Sequence, residues 1–258
     1  MKARSVVVTA AAWAVLLAAG PAVADDLAGR FSIGVQVGTQ SDLGGNKLQS
    51  GQGPMLGKPT TVSAKRYKDL YKPDVRYQAF VGYGLTAKLE LLARGSYYKN
   101  EATGVSAGSY DGQPLYAFFD QLENPQTHAI EILAYEEYGG ELALRYYFAP
   151  QSRLKSFVAP VVGLRHVSET HVSFTAPDAA SRLMNVPFTQ SGNAMLFGLD
   201  IGFAFDVTDN FFVGVDTGVR YQAAPKAANA PQLSGISSID ESDARWTAPV
   251  VAQIGVRF

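Results

Sequence analysis

The chain has 258 residues and a formal net charge of −1, with 47% hydrophobic and 17% charged residues. Without a basic excess it lacks the electrostatic footprint of a nucleic-acid-binding protein, so we expect no nucleic-acid partner. It contains no cysteine, which excludes a disulfide framework, a thiolate metal site and a cysteine nucleophile. Its stability therefore has to come from backbone hydrogen bonds and from burial of apolar surface.

The N-terminus has the pattern of a secretory signal peptide. Lys2 and Arg4 precede an apolar stretch from Val6 to Ala19, and small residues lead to a cleavage site after Ala24. An uncleaved anchor helix is the alternative, but about 14 apolar residues fall short of the roughly 20 that cross a bilayer. We therefore expect a cleaved signal peptide and an exported mature protein. The expected domains are residues 1–24 for the signal peptide and residues 25–258 for a single β-barrel domain.

After this segment, apolar residues alternate with small or polar residues in one stretch after another, which is typical of β-strands. A first strand begins at Phe31, and a last strand ends at Phe258. Three hairpins lie between them, with short turns at residues 86–88, 149–153 and 208–210. The pattern predicts eight strands, near residues 31–37, 75–85, 89–97, 138–148, 158–164, 195–207, 211–221 and 245–258.

The short turns alternate with four long stretches rich in Gly, Pro, Ser, Asn and Asp. These predicted loops run from Thr39 to Pro73, Asn100 to Glu137, Ser168 to Asn193 and Gln222 to Ala244. Four loops of this length are rare in a soluble domain. Short periplasmic turns opposite long extracellular loops are typical of an outer-membrane barrel, and an even strand number places both termini in the periplasm.

The two faces of each strand indicate which side meets lipid. Glycines and charged residues share one face, and large apolar residues occupy the other. On the solvated face of a soluble sandwich such glycines would only weaken the strands, whereas inside a narrow barrel they make room for the larger residues that fill it. The residues predicted to face lipid include Leu199, Ile201, Phe203, Val213, Val215, Val250 and Ile254, and the predicted aromatic girdles contain Tyr83, Phe148, Phe157, Phe205, Phe211, Tyr221, Trp246 and Phe258.

The fold class predicted from these patterns is all-β, a transmembrane antiparallel up-and-down β-barrel of eight strands. An apolar aromatic run, Pro114 to Phe119, leaves ten strands as the alternative because it could hide another strand pair. The run could also form a binding surface outside the cell or a patch that packs over the barrel mouth. We favour packing, since exposed patches of this kind are uncommon without a partner.

The segment from Ala248 to Phe258 alternates regularly and ends on a phenylalanine. It resembles the C-terminal strand of bacterial outer-membrane barrel proteins. Together with the signal peptide, the hairpins and the chain size, it is similar to the small Gram-negative barrels of the OmpA, OmpX and OmpW type, over nearly the whole mature chain. The resemblance implies a monomer in outer-membrane lipid, with Phe258 as the assembly signal for the barrel-assembly machinery.

Ten charged residues lie on the face predicted to point inward. They could line a selective pore or form an ion-pair network in a closed lumen; we favour the network because an eight-stranded barrel is just wide enough for side chains to fill. The register of the last hairpin places Asp216 opposite Asp200 or Gly202, so we expect Arg165 or Arg220 to contact one of these aspartates. The predicted inward set is Glu90, Arg94, Glu141, Arg145, Arg165, Asp200, Asp206, Asp216, Arg220 and Arg257.

The three histidines carry weak functional patterns. His166 and Ser168 superficially resemble the His-x-Ser pair of outer-membrane lipid A deacylases, but Glu169 stands where that family has an asparagine. No metal-ligand spacing surrounds His128, His166 or His171. Because geometry and not spacing defines a catalytic site, we expect His166 to be a polar residue at the outer rim.

The sequence therefore predicts an integral outer-membrane barrel with no catalytic activity, cofactor or metal, and with a structural or interaction role at the cell surface. A narrow porin-like channel for small solutes is the alternative. An outer-membrane lipid-modifying enzyme or protease is the third hypothesis. The pattern leaves the surface ligand open.

Overall fold

The computed structural model describes residues 27–71, 74–100, 104–118, 128–132, 135–175, 182–227, 236 and 239–258. The predicted signal peptide lies outside them. No helix among these residues is long and apolar enough to cross a membrane. The elements in chain order are β1 (Phe31–Gly44), β2 (Asn46–Leu48), β3 (Gly51–Met55), β4 (Lys58–Val62), β5 (Lys65–Arg66), α1 (Tyr67–Leu70), β6 (Asp74–Gly84), β7 (Leu89–Asn100), β8 (Val105–Tyr110), β9 (Gln113–Phe118), β10 (His128–Ile132), β11 (Tyr135–Tyr147), β12 (Leu154–Val167), β13 (Thr170–Thr175), β14 (Arg182–Thr189), β15 (Gly192–Asp206), β16 (Phe211–Gln222) and β17 (Arg245–Arg257).

Eight of these strands close into an antiparallel barrel in the order β1-β17-β16-β15-β12-β11-β7-β6. Each barrel strand pairs with the barrel strands that precede and follow it in the chain, and the pairing of β1 with β17 closes the ring. The predicted up-and-down barrel of eight strands is confirmed, and the ten-stranded alternative is wrong. Its candidate extra strand, β9, pairs outside the barrel with β8 and β10.

The outer wall of the barrel is apolar over its whole circumference. Leu199, Ile201 and Phe203 expose 51%, 54% and 55% of their surface. Exposed apolar surface on this scale marks contact with another apolar medium, and here it forms the lipid-facing belt of a transmembrane barrel. The predicted faces are confirmed except at Phe157, which lies inside the barrel with 2% exposure because β12 begins its alternation with Lys155 inward.

Inside the barrel, glycines on one strand face large side chains on another. A Cβ atom on Gly34 would collide with the ring of Phe80, and one on Gly202 would collide with the ring of Phe157. The glycines therefore supply the volume that these rings occupy, as predicted from their position on the inward face. The interior is filled to the width that eight strands allow.

Three of the four predicted loops contain β-strands. These form a seven-stranded sheet in the order β14-β13-β10-β9-β8-β4-β3, with β2 and β5 paired beside it. The fourth loop, after Gln222, supplies none of these strands among its described residues, but it places Ile236 and Ile239 in the same core. Together with α1, Ile236 and Ile239, these strands form the cap. Its apolar core includes Leu115, Ala117 and Phe174. The prediction that the run beginning at Pro114 packs is thus confirmed for Leu115 and Ala117, while Phe119 lies outside the described residues.

We expect Leu199→Arg to lower the free energy of unfolding by about 2–4 kcal/mol, because it places a charge in the lipid-facing belt near the middle of β15. Gln52→Arg is the control, since Gln52 is exposed on β3 in the cap. Urea titration of the protein folded into lipid vesicles measures both. Equal losses in the two variants would contradict the assigned faces.

We expect Phe258→Ala to slow folding into vesicles, because Phe258 completes the pairing of the last barrel strand with the first. Its N–H donates to the Phe31 carbonyl at 3.0 Å, the Phe31 N–H donates back at 2.9 Å, and the two rings stack. Phe148→Ala is the matched control, an aromatic residue 60% exposed beside the 67% of Phe258. The heat-modifiable folded band on a gel reports the yield. Equal folding of both variants would count against a special role for the terminal residue.

Candidate functional site

Glu141 on β11 lies in the barrel interior among four arginines from four other strands. Its Oε1 accepts from Arg76 on β6 at 2.5 Å and from Arg165 on β12, and its Oε2 lies 3.6 Å from Arg220 on β16 and 4.0 Å from Arg94 on β7. All five side chains are almost completely buried. Four guanidinium groups exceed the charge of one carboxylate, so this cluster depends on further carboxylates nearby.

Asp200 on β15 supplies one of them. Arg220 donates to its carboxylate through both terminal guanidinium nitrogens, Nη1 and Nη2, the second at 2.8 Å. Arg94 donates to the same carboxylate at 2.7 Å. Two parallel N–H···O bonds are the strong, directional form of this ion pair. Gly218 lies opposite Asp200 in the hairpin, where a Cβ atom would collide with the carboxylate.

Asp216 on β16 has looser partners. The register places it opposite Gly202, so the two aspartates of the hairpin are not direct neighbours. Its carboxylate lies 3.7 Å from Arg94 and 3.8 Å from Arg145, and it accepts from the amide of Gln36 at 3.2 Å. Arginines from β7 and β11 thus lie between the Asp216 carboxylate and the other buried carboxylates.

Toward the end of the barrel opposite the cap, Glu90 on β7 accepts from Ser32 and from the Tyr147 hydroxyl, both at 2.7 Å, and lies 3.4 Å from Arg145. Three donors from two strands, β1 and β11, therefore satisfy one buried carboxylate, which offsets its desolvation.

Asp206 is the last carboxylate at this end. Lys155 on β12 and Arg257 on β17 both bind it. The Arg257 guanidinium also lies 4.1 Å from the centroid of the Phe212 ring, a cation–π distance. This contact places aromatic surface and charge in the same layer of the interior.

At the outer end, Glu137 on β11 accepts from Arg245 on β17 and from Gln222 on β16, each at 2.5 Å. Arg245 also lies 3.1 Å from Asp42 on β1. Four strands are joined here at the level where the barrel meets the cap.

The structure thus places all ten predicted inward residues inside the barrel. Eight of them are connected by ion pairs, while Asp206 and Arg257 form a separate group with Lys155. Three of the participating residues had not been singled out from the sequence. Arg76 and Lys155 lie on the inward faces of β6 and β12, two strands that were predicted from their apolar residues. Glu137 lay in a predicted loop. The same period-two pattern, extended to the strand ends, would have found all three.

Lys47 on β2 lies between this outer layer and the core of the cap, fully buried. Its Nζ is 6.0 Å from the ring centroid of Tyr67 and 5.6 Å from that of Phe188. Burial in this apolar surrounding, reinforced by the charge of Arg245, lowers the pKa of Lys47 to about 7. The base of the cap therefore favours a neutral amine.

The histidines do not meet one another. His166 Nδ1 lies 3.0 Å from the Asn193 side-chain oxygen, and His171 lies 3.3 Å from Glu169. His128 lies against the ring of Tyr110 in the cap. Within the described part of the chain, no three His, Asp or Glu side chains are grouped to hold a metal ion.

Comparison with solved structures finds outer-membrane barrels. OprG from Pseudomonas aeruginosa is 11% identical, covers 92% of this chain and 99% of its own, and has a TM-score of 0.49. Neisserial surface protein A is 14% identical over 89% and 99%, with a TM-score of 0.43. The protease OmpT from Escherichia coli is 10% identical over 89% and 97%, with a TM-score of 0.39. No protein-family model matches the chain, and no curated protein does. Identities this low carry no information on activity.

We expect Glu141→Gln to destabilise the barrel by about 3–5 kcal/mol, because the change leaves buried arginines without their shared carboxylate. Lys58→Gln is the control: its ion pair with Asp111 is exposed and worth less than about 1 kcal/mol. Urea unfolding in vesicles measures the difference. A loss no larger than in the control would contradict the central place of Glu141.

The pKa of Lys47 is lower in the folded protein than its ordinary value of 10.5. Between these values the unfolded chain binds more protons, so the free energy of unfolding the cap rises from about pH 7 toward pH 10.5. We expect Lys47→Met to abolish this rise. The ratio of wild-type to variant proteolysis rates of the cap, taken at each pH, measures it, with Lys58→Met as exposed control. A wild-type cap that weakens with rising pH would contradict the assignment.

Proposed function

We propose that this protein is a closed outer-membrane barrel that holds the folded cap at the cell surface, where it has a structural or interaction role, and that it does not conduct solutes. The observation that carries the proposal is that side chains meet across the full diameter of the barrel. The signal peptide is removed on export, and the barrel-assembly machinery recognises the strand that ends at Phe258.

Two contacts join walls that are four strands apart in either direction around the ring. Arg145 on β11 donates to Gln253 on β17 at 3.2 Å, and Glu137 on β11 accepts from Arg245 on β17 at 2.5 Å. These bridges lie at different heights of the same two strands. Ions would have to displace both, together with the buried ion pairs between them, to pass.

The cap supports the proposed structural or interaction role at the cell surface. Four separate extracellular segments fold onto one apolar core, which includes Met55, Leu115, Phe174 and Phe188. Loops that serve only to connect strands do not need a shared core, because they can remain solvated. A folded sheet on the outside of the cell offers a defined surface for contact with another molecule.

Planar-bilayer conductance tests the closed lumen. We expect no steady current from the wild-type protein and a measurable current from the double variant Glu137→Ala, Arg145→Ala, which removes both bridges across the diameter. Phe174→Asp is the control: it disrupts the cap core and leaves the barrel contacts in place, so it should stay closed. A steady wild-type current would favour the narrow solute channel instead, and a current from Phe174→Asp alone would assign closure to the cap.

A further inference from the structure

The lipid-facing wall between β7 and β15 carries a groove that extends across four neighbouring strands. Its volume is about 630 Å³, within the range of sites that hold small molecules. Its outward-facing apolar lining consists of Ala93, Leu142, Val162, Leu164, Met195 and Phe197. Two glycines, Gly140 and Gly163, and the inward-facing Arg94, Glu141 and Leu196 complete the lining.

Part of the groove surface is bare backbone at Gly140 on β11. Gly95 on β7 is its register partner and lies beside it on the same outward face. A Cβ atom on Gly95 would meet no atom within 4 Å, and one on Gly140 would approach only the Arg94 carbonyl oxygen, at 3.9 Å. The missing side chains on the lipid side therefore leave the surface open here, and a side chain added at either position would start in open space.

Polar and aromatic side chains stand directly above the groove, at the end of the barrel that carries the cap. One residue pair further along the strands, the register aligns Tyr97, Tyr138, His166 and Asn193 in one row. The rings of Tyr138 and His166 are 4.8 Å apart, and the His166 Nδ1 lies 3.0 Å from the Asn193 oxygen. This row has the composition of the membrane–water interface.

Beyond this row, Lys99 lies 3.1 Å from Glu136 on the same outward face, with half of its side chain exposed. An ammonium group and an imidazole are thus placed at headgroup level, on the same strands as the groove. Both can donate to a phosphate oxygen.

We propose that this groove binds one acyl chain of a phosphorylated lipid of the outer leaflet, with the lipid phosphate at Lys99 and His166. The groove opens into the lipid-facing belt, so its occupant comes from the bilayer. The polar row lies at the extracellular end, which selects the outer leaflet. The apolar lining accounts for the chain and the basic side chains for the headgroup.

Native mass spectrometry of the folded protein in detergent, titrated with bisphosphorylated hexa-acylated lipid A, tests the proposal. We expect one saturable site in the wild type and about tenfold weaker binding, or about 1.4 kcal/mol, in Gly140→Leu, which fills the groove. Ala252→Leu is the matched control: it adds the same side chain to an exposed position on β17 and should bind like the wild type. Gly95→Leu repeats the test if Gly140→Leu folds poorly on a heat-modifiability gel.

A second set of variants tests the proposed contacts with the lipid headgroup. We expect Lys99→Gln and His166→Ala to weaken binding of bisphosphorylated lipid A severalfold and to leave binding of the dephosphorylated lipid unchanged. Lys58→Gln, which breaks an exposed ion pair in the cap, should change neither. Equal, unsaturable lipid adducts in all variants would overturn the proposal, as would Gly140→Leu binding like the wild type. A dimer lost in Gly140→Leu would also overturn it, since the groove would then be an interface between two copies.

Discussion

Closure of the eight-stranded ring is the constraint on which the rest of this structure depends. In lipid, every backbone N–H and C=O must be paired within the protein, so the first and last barrel strands have to meet. β1 and β17 do so over 12 residue pairs, finished by the mutual hydrogen bonds of Phe31 and Phe258. Eight strands then set the width of the interior, which decides which side chains fit there.

The charged interior follows from that width. Within the lipid-facing belt the outward face of each strand is apolar, so the polar side chains at this level point inward, where little water can solvate them. Burying charge is costly unless each group is paired. In this barrel the charged groups share partners: Glu141 lies beside four arginines, and Arg94 lies beside Glu141, Asp200 and Asp216. Such a network fills the barrel interior and fixes the positions of its side chains. Removing one member would leave its partners buried without a counter-charge.

Outside the membrane the same chain follows the opposite rule. The cap is bathed in water, so its apolar residues turn inward onto a shared core, while those of the barrel turn outward to lipid. The layer of Lys47, Glu137 and Arg245 lies where these two environments meet. The contrast also gives the molecule two distinct surfaces, the lipid-facing belt of the barrel and the folded sheet of the cap.

The sequence by itself determined the barrel: period-two alternation, short turns against long segments, and glycines on the inward face reflect local geometry that each strand obeys alone. It also narrowed the partner of Asp216 to two residues, because hairpin register is local. Tertiary structure alone decided the cap, since β4 pairs with β8, β9 runs parallel to β10, and bulges interrupt the alternation in β8 and β13. It also decided which charges meet, because partners such as Glu137 and Arg245, 108 residues apart, are brought together only when the ring closes.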